Sequence, residues 1–204
     1  MRCLGGKFTR YAIVIIMILT FFGCKGRTPP INFYTLTPIP VTQKPYTGVA
    51  ALKDIQIGIG PLAFPKILDR PQIVTRPAPG RLEMAEYRRW GGYFKDDFML
   101  VLASNISTLL GTDQVVVFPW PSSLKPSYQI EIEVYRFDGK LGDSVVLNVG
   151  WILKTADSSQ AMFFKRSTIV QAVTGDDYDA LITAKNFALE KFSRIILDEL
   201  KKVI

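Results

Sequence analysis

The groups able to do chemistry in this 204-residue chain are few and unevenly placed. It has no histidine, two cysteines (Cys3 and Cys24) and a net charge of +7. Without imidazole there is no Ser-His-Asp or Cys-His relay and no histidine ligand for a metal. Beyond Cys24 no thiol remains for a disulfide, a thiolate zinc site or an iron–sulfur cluster. Gly58-Ile59-Gly60 lacks the third glycine and the Lys-Ser/Thr of a phosphate cradle. Glu131 and Glu133 share one strand face and read as its solvated side. Asp96-Asp97 and Asp176-Asp177 fall in first helical turns, where the helix dipole accounts for them. These patterns assign no catalytic residue, no cofactor and no metal, and the expectation is a protein that is not an enzyme. What remains is a concentration of cations. Lys66, Arg70, Arg76, Arg81, Arg88, Arg89 and Lys95 stand against Asp69, Glu83 and Glu86, a net +4 within residues 66–95. Each arginine fork can donate paired hydrogen bonds to carboxylates of a partner or to lipid phosphates. Alternatively, some of them pair internally with Asp69, Glu83 or Glu86 and pin their own segment. Trp90 follows Arg88-Arg89, either as a further contact residue or as a staple packing the segment onto the helix after it.

The second thiol sits in an addressing sequence. Arg2, Lys7 and Arg10 precede twelve largely apolar residues, 11–22, and no acidic residue interrupts them. Twelve is short of the roughly 20 needed for a spanning helix but suits a signal-peptide core of about 7–15. The run ends Leu19-Thr20-Phe21-Phe22-Gly23-Cys24, which resembles the bacterial lipobox, although Phe21 and Phe22 are bulkier than usual. The resemblance implies diacylglycerol on the Cys24 sulfur, cleavage after Gly23 and acylation of the new amino group. An ordinary secretory signal, or an uncleaved anchor with Cys24 incidental, is the alternative. Two or three acyl chains anchor firmly, where one binds marginally. By the sorting rule of enteric-type bacteria, Lys25 favours the outer membrane over the inner. Removing residues 1–23 leaves 22 Lys and Arg against 18 Asp and Glu. The mature excess of +4 therefore equals that of residues 66–95, and it is too mild for a nucleic-acid footprint.

The elements that must position these groups follow from proline and periodicity. All thirteen prolines fall at or before Pro126. Residues 24–50, with Pro29, Pro30, Pro38, Pro40 and Pro45, read as an extended tether carrying one short edge strand at 32–36. Ile55, Ile57 and Ile59 alternate with smaller or polar residues as a strand stopped by Pro61. Residues 61–92, punctuated by five further prolines counted with Pro61, read as a long functional loop. Phe94, Phe98, Val101, Leu102, Ile106 and Leu109 keep helical spacing before Gly111. Residues 115–118 form a short strand. Three long alternating strands then succeed one another, with Asp138-Gly139 marking the first turn. A last helix carries Leu181, Ala184, Ala188, Phe192 and Ile195. The expectation is an α+β fold: a mainly antiparallel sheet with two helices packed on one face, preceded by an extended Pro-rich tether. Residues 1–23 form the signal peptide, 24–50 the tether and 51–204 a single domain.

Several blocks together resemble a known family. They are Ile59-Gly60-Pro61, Leu68-Asp69-Arg70-Pro71-Gln72-Ile73-Val74-Thr75-Arg76, Leu109-Leu110-Gly111-Thr112-Asp113 and Val116-Val117-Phe118-Pro119-Trp120. With Trp90, Phe33-Tyr34-Thr35-Leu36, Arg136-Phe137-Asp138-Gly139 and Trp151, they are similar to the ABC-type transport auxiliary lipoproteins, the paraquat-inducible protein C relatives. The match spans nearly all of the mature chain. One departure is Arg88, where the family often has a histidine before the Arg-Trp pair. The resemblance implies a periplasm-facing, lipid-anchored, non-catalytic component of an intermembrane lipid-transport system. Its implied partners are an MCE-domain protein, with permease and ATPase subunits in the same system, and the membrane through acyl chains on Cys24. No nucleic acid is implied, and a homo-oligomer stays open. Two other roles stay open beside a scaffold: a lipid carrier, and an envelope-assembly lipoprotein unrelated to transport.

Overall fold

The computed structural model describes residues 28–43, 46–48, 52, 54–155 and 161–203. Cys24 and the signal sequence lie outside the described residues. A compact unit runs from Ile31 to Ile204. Its strands are β1 (Asn32–Tyr34), β2 (Ile57–Ala63), β3 (Gln72–Ala78), β4 (Arg81–Trp90), β5 (Val115–Val117), β6 (Tyr128–Gly139), β7 (Ser144–Thr155) and β8 (Ala161–Ala172). Its helices are α1 (Phe94–Leu110) and α2 (Tyr178–Val203).

Two sheets result. One has the order β5-β2-β6-β7-β8, the other β1-β4-β3. The β6–β7–β8 meander is antiparallel, as alternation demands, whereas β2 runs parallel to both β5 and β6. The larger sheet is therefore mixed. Along β6, Ile130, Ile132 and Val134 face the core and pair with Leu153, Trp151 and Val149 of β7. Both helices pack against that face. Phe98 of α1 meets Phe137 edge-on at 5.7 Å, and Phe192 of α2 meets Trp151 at 6.3 Å. Burying each such ring stabilises the fold by roughly 1.5–3 kcal/mol. Gly111 ends α1 in the left-handed region at φ 68°, where its N–H bonds back to Ser107 and Thr108 carbonyls. At the start of α2, Asp177 Oδ1 accepts from the Ala180 N–H at 2.8 Å.

The expected stop at Pro61 and the expected loop at 61–92 are both corrected. β2 continues through Pro61 to Ala63, and residues 72–90 form a β-hairpin. Pro77 sits at a register irregularity between Thr75 and Ala78, where a missing N–H costs the ladder little. Asp138-Gly139 is likewise strand, not turn; the reversal falls at 140–143.

The proline-rich lead-in is docked from Ile31 onward. β1 pairs in parallel with β4. The Leu36 N–H then donates to Asp97 Oδ2 at 2.8 Å, Thr37 to Asn186 Oδ1 at 3.1 Å and Ile39 to Asn105 Oδ1 at 2.9 Å. Pro38 and Pro40 have no N–H to satisfy, so every backbone donor from 36 to 40 is either bonded or missing. Leu36 and Ile39 are buried. This stretch of lead-in is packed chain with both helices beneath it.

Candidate functional site

The β3–β4 hairpin turns at Pro79-Gly80, and Gly80 takes φ +74°, the left-handed region that favours glycine. β4 lies between β3 and β1: it pairs with β3 along the hairpin and with β1 only at Arg88, Arg89 and Trp90. Its side chains stay largely in solvent: Arg81, Glu83, Met84 and Glu86 are exposed. Residues 72–90 therefore form a hairpin with an exposed outer strand segment rather than the expected loop.

The six candidates occupy different environments. Arg81 is 64% exposed and pairs with Glu83 at 2.8 Å; an exposed pair of this kind contributes only about 0–1 kcal/mol. Arg88 donates to the Tyr87 carbonyl at 3.2 Å and lies 6.0 Å from the Tyr178 ring. Burial pushes the Tyr178 hydroxyl pKa up, and the Arg88 cation opposes that. Arg89 Nε reaches only the Glu86 backbone carbonyl, at 3.3 Å. Arg70 Nε donates to Gln72 Oε1 at 3.3 Å, and its Nη1 sits 2.8 Å from Met84 Sδ. The remaining two candidates are structural. Trp90 is 4% exposed and stacks on Phe94 with centroids 4.0 Å apart and planes 8° apart. It is the staple, and it offers no surface to a partner. Arg76 turns inward and grips Asp138, with Nε and Nη2 donating at 2.8–3.1 Å. That grip raises the Arg76 pKa further. Of the anticipated acids, Glu83 takes an arginine side chain, whereas Asp69 accepts from the Lys95 N–H at 3.4 Å.

Beneath the hairpin lies a charged cluster that composition did not reveal. Asp138 is 1% exposed and also accepts from Arg136 Nε at 2.7 Å. Lys185 of α2 is 1% exposed, and its Nζ donates to the Phe137 carbonyl at 2.6 Å. The Nζ lies 4.2, 5.0 and 5.9 Å from the ring centroids of Phe137, Phe94 and Trp90. Burial drives the Lys185 pKa down to about 7, with the Asp138 charge opposing the shift. Two sequence signals could have found the cluster. Lys185 shares the apolar helix face of Leu181, Ala188, Leu189 and Phe192, and Arg136-Phe137-Asp138 breaks the alternation of β6.

The hairpin pinned by a buried carboxylate, the stapling Trp90 and the docked stretch from Tyr34 to Pro40 all lie within residues 34–196. Those residues match the sequence profile described as "ABC-type transport auxiliary lipoprotein component". The chain belongs to this family. The matched region opens at Tyr34, the last residue of β1, and so takes in the docked stretch from Tyr34 onward. No curated protein matches the chain by sequence. Two solved structures share its fold. One, described only as an uncharacterized protein, is 17% identical over 84% of this chain and 99% of its own, with a TM-score of 0.66. The other, from Xanthomonas campestris, is 17% identical over 83% of this chain and 93% of its own, with a TM-score of 0.63. Among the described residues, no helix is long and apolar enough to cross a membrane.

Proposed function

We propose that this chain is a lipid-anchored, non-catalytic scaffold of an MCE-type ABC transport system. Acyl chains on Cys24 hold it to a leaflet facing the periplasm, and Lys25 favours the outer membrane. The face of β4 docks the MCE-domain protein, which works with a permease and an ATPase of the same system. One observation carries the reading. Arg81, exposed, and Arg88 and Arg89, half-buried, sit on a paired strand, and their only protein partners among the described residues are an exposed carboxylate, neighbouring carbonyls and the Tyr178 ring. Strand pairing pre-orders the backbone, so docking there costs less conformational entropy.

The test replaces Arg81, Arg88 and Arg89 together with Gln in the full chain. The expected result is a melting temperature within about 2 °C of the parent. Capture of the MCE protein should weaken several-fold, and most at low salt, because surface electrostatics are screened. A large thermal loss with capture per folded molecule intact would overturn the reading. The carrier alternative is less well supported. The layer between sheet and helices is filled by Trp151, Leu153, Leu189 and Phe192, each at most 1% exposed. The groove of about 320 Å³ beside Leu62, Ile152 and Phe164 is mainly apolar, with Glu131 and Glu133 among its lining, but it is open and would leave much of an acyl chain in solvent. Lipid co-purifying stoichiometrically with the chain from Lys25 onward would reverse that preference. The family's description favours transport over an unrelated assembly role.

A further inference from the structure

Asp138 does more than fasten the hairpin. Its buried carboxylate takes Nε and Nη2 of Arg76 on one side and Nε of Arg136 on the other. Both guanidiniums are thereby held by one edge. Among the described residues, Arg76 Nη1 and both Nη groups of Arg136 have no protein partner. A bulge makes this arrangement possible. The β6–β7 register shifts between Val134 and Arg136, so the extra residue reverses the alternation. Phe137 then enters the core, while Arg136 and Asp138 fall on the opposite face. The two arginines border an open groove of about 440 Å³, a volume within the usual range for small-molecule sites of about 300–1,000 Å³. Lys140 also lines it, and its side chain is held, among the described residues, by an exposed pair with Asp143 at 3.4 Å, a weak tie. The remaining wall is the run Pro77, Ala78, Pro79 and Gly80 of the hairpin tip, with Ser144 beside Asp143.

Two guanidiniums against one carboxylate leave a single positive charge, and Lys140 and Asp143 cancel. The free donors are forked, the geometry that matches tetrahedral oxyanions. The orienting acid has both oxygens occupied and no access to water, so it fixes the donors rather than repelling a ligand at the mouth. A monoanion with carbon substituents fits this charge and this wall better than a dianion does. We infer that the Arg76–Arg136 cavity is a phosphodiester site, seating the phosphate of a glycerophospholipid headgroup with its glycerol carbons against Pro77 and Pro79. None of Arg81, Arg88 and Arg89 lines the site, although Arg81 pairs with Ala78 at its border, and the site stands whether or not those arginines bind a protein.

The test uses the full chain in non-ionic detergent micelles, titrated calorimetrically at pH 7.5 and low salt. Separate titrations use glycerophosphoglycerol, which is a phosphodiester headgroup without acyl chains, and inorganic phosphate. Side-chain Nε–H signals of the arginines are followed by NMR on the same sample. The expected result is saturable binding of glycerophosphoglycerol in the millimolar range or tighter, with the Arg136 signal moving. Inorganic phosphate should bind more weakly. Arg136→Gln should lose at least tenfold in affinity, and Arg136→Lys, which keeps the charge without the fork, should fall between. Arg76 still clamps Asp138 in both variants, and thermal melts report whether each is folded. Inorganic phosphate binding as tightly as the headgroup would assign the cavity to free phosphate and overturn the lipid reading. No binding of either probe, or unchanged affinity in folded Arg136→Gln, would overturn the site itself.

Discussion

Replacing Lys185 with methionine removes one buried charge while keeping the length of the side chain. In the folded chain the Lys185 pKa is lowered from 10.5 to about 7. The unfolded chain thus binds more protons than the folded chain between those values. Stability must rise as pH rises through that window, because the slope follows the excess of protons bound by the unfolded state. Below about pH 7 the lysine is charged in both states, and the full cost of burying the charge is present. A single group with these two pKa values contributes about 2–3 kcal/mol of added stability between pH 6 and pH 9. The charged groups around it are Asp138 of β6, which opposes the shift, and the Arg76 and Arg136 that hold that carboxylate. The ring faces of Phe137 and Phe94 offset part of the desolvation. The assay is the urea midpoint at half-unit steps from pH 6 to 9.5, for a soluble chain beginning at Lys25 and for Lys185→Met. The variant should match the parent to within about 1–2 kcal/mol near pH 9, the scale of the hydrogen bond it loses to the Phe137 carbonyl. It should gain on the parent steadily toward pH 6. Parallel profiles, with a difference constant to about 0.5 kcal/mol, would refute a lysine buried without a carboxylate of its own.

Other consequences are narrower. Asp97→Ala removes the acceptor shared by the Thr35 hydroxyl and the Leu36 N–H, both at 2.8 Å; it should cost about 1–3 kcal/mol and speed proteolysis within residues 31–40, and equal cleavage rates would count against the docked lead-in. Trp151→Ala should cost about 3–5 kcal/mol by the same urea assay, since the indole is 1% exposed and donates to Ser167 Oγ at 3.2 Å. Cys24→Ser should abolish acylation and release the chain from membranes; a variant that keeps its signal peptide and still pellets with the membrane would remove the lipobox reading.

Regular periods were easy to read and irregular ones were not. The spacing of Phe94, Phe98, Leu102 and Ile106 gave α1, and the alternation of Ile130, Ile132 and Val134 gave the start of β6, because one buried face imposes each period. The β3–β4 hairpin was lost for the opposite reason. Leu82-Glu83-Met84-Ala85-Glu86 has low strand propensity and little burial, and pairing with β3 is what makes it strand. Asp138-Gly139 looked like a turn because the bulge near Tyr135 had already shifted the pattern. Gly139 serves a close approach: a Cβ there would stand 2.7 Å from the Ser144 carbonyl oxygen. In the candidate site, the surface arginines were visible as a charge excess. The Arg76–Asp138 pairing was not, since 62 residues separate the partners and no local rule links them. Trp90 was placed correctly only in its packing alternative.

Photo-crosslinking in intact cells tests the proposed docking face most directly. A benzophenone amino acid replaces Met84, exposed on β4 between Arg81 and Arg88. A control replaces Val170, exposed on β8. The expected result is an ultraviolet-dependent adduct containing the MCE-domain protein from position 84 and none from position 170. Capture of that protein from 170 alone, or from neither position while the chain stays membrane-bound, would contradict docking through the hairpin.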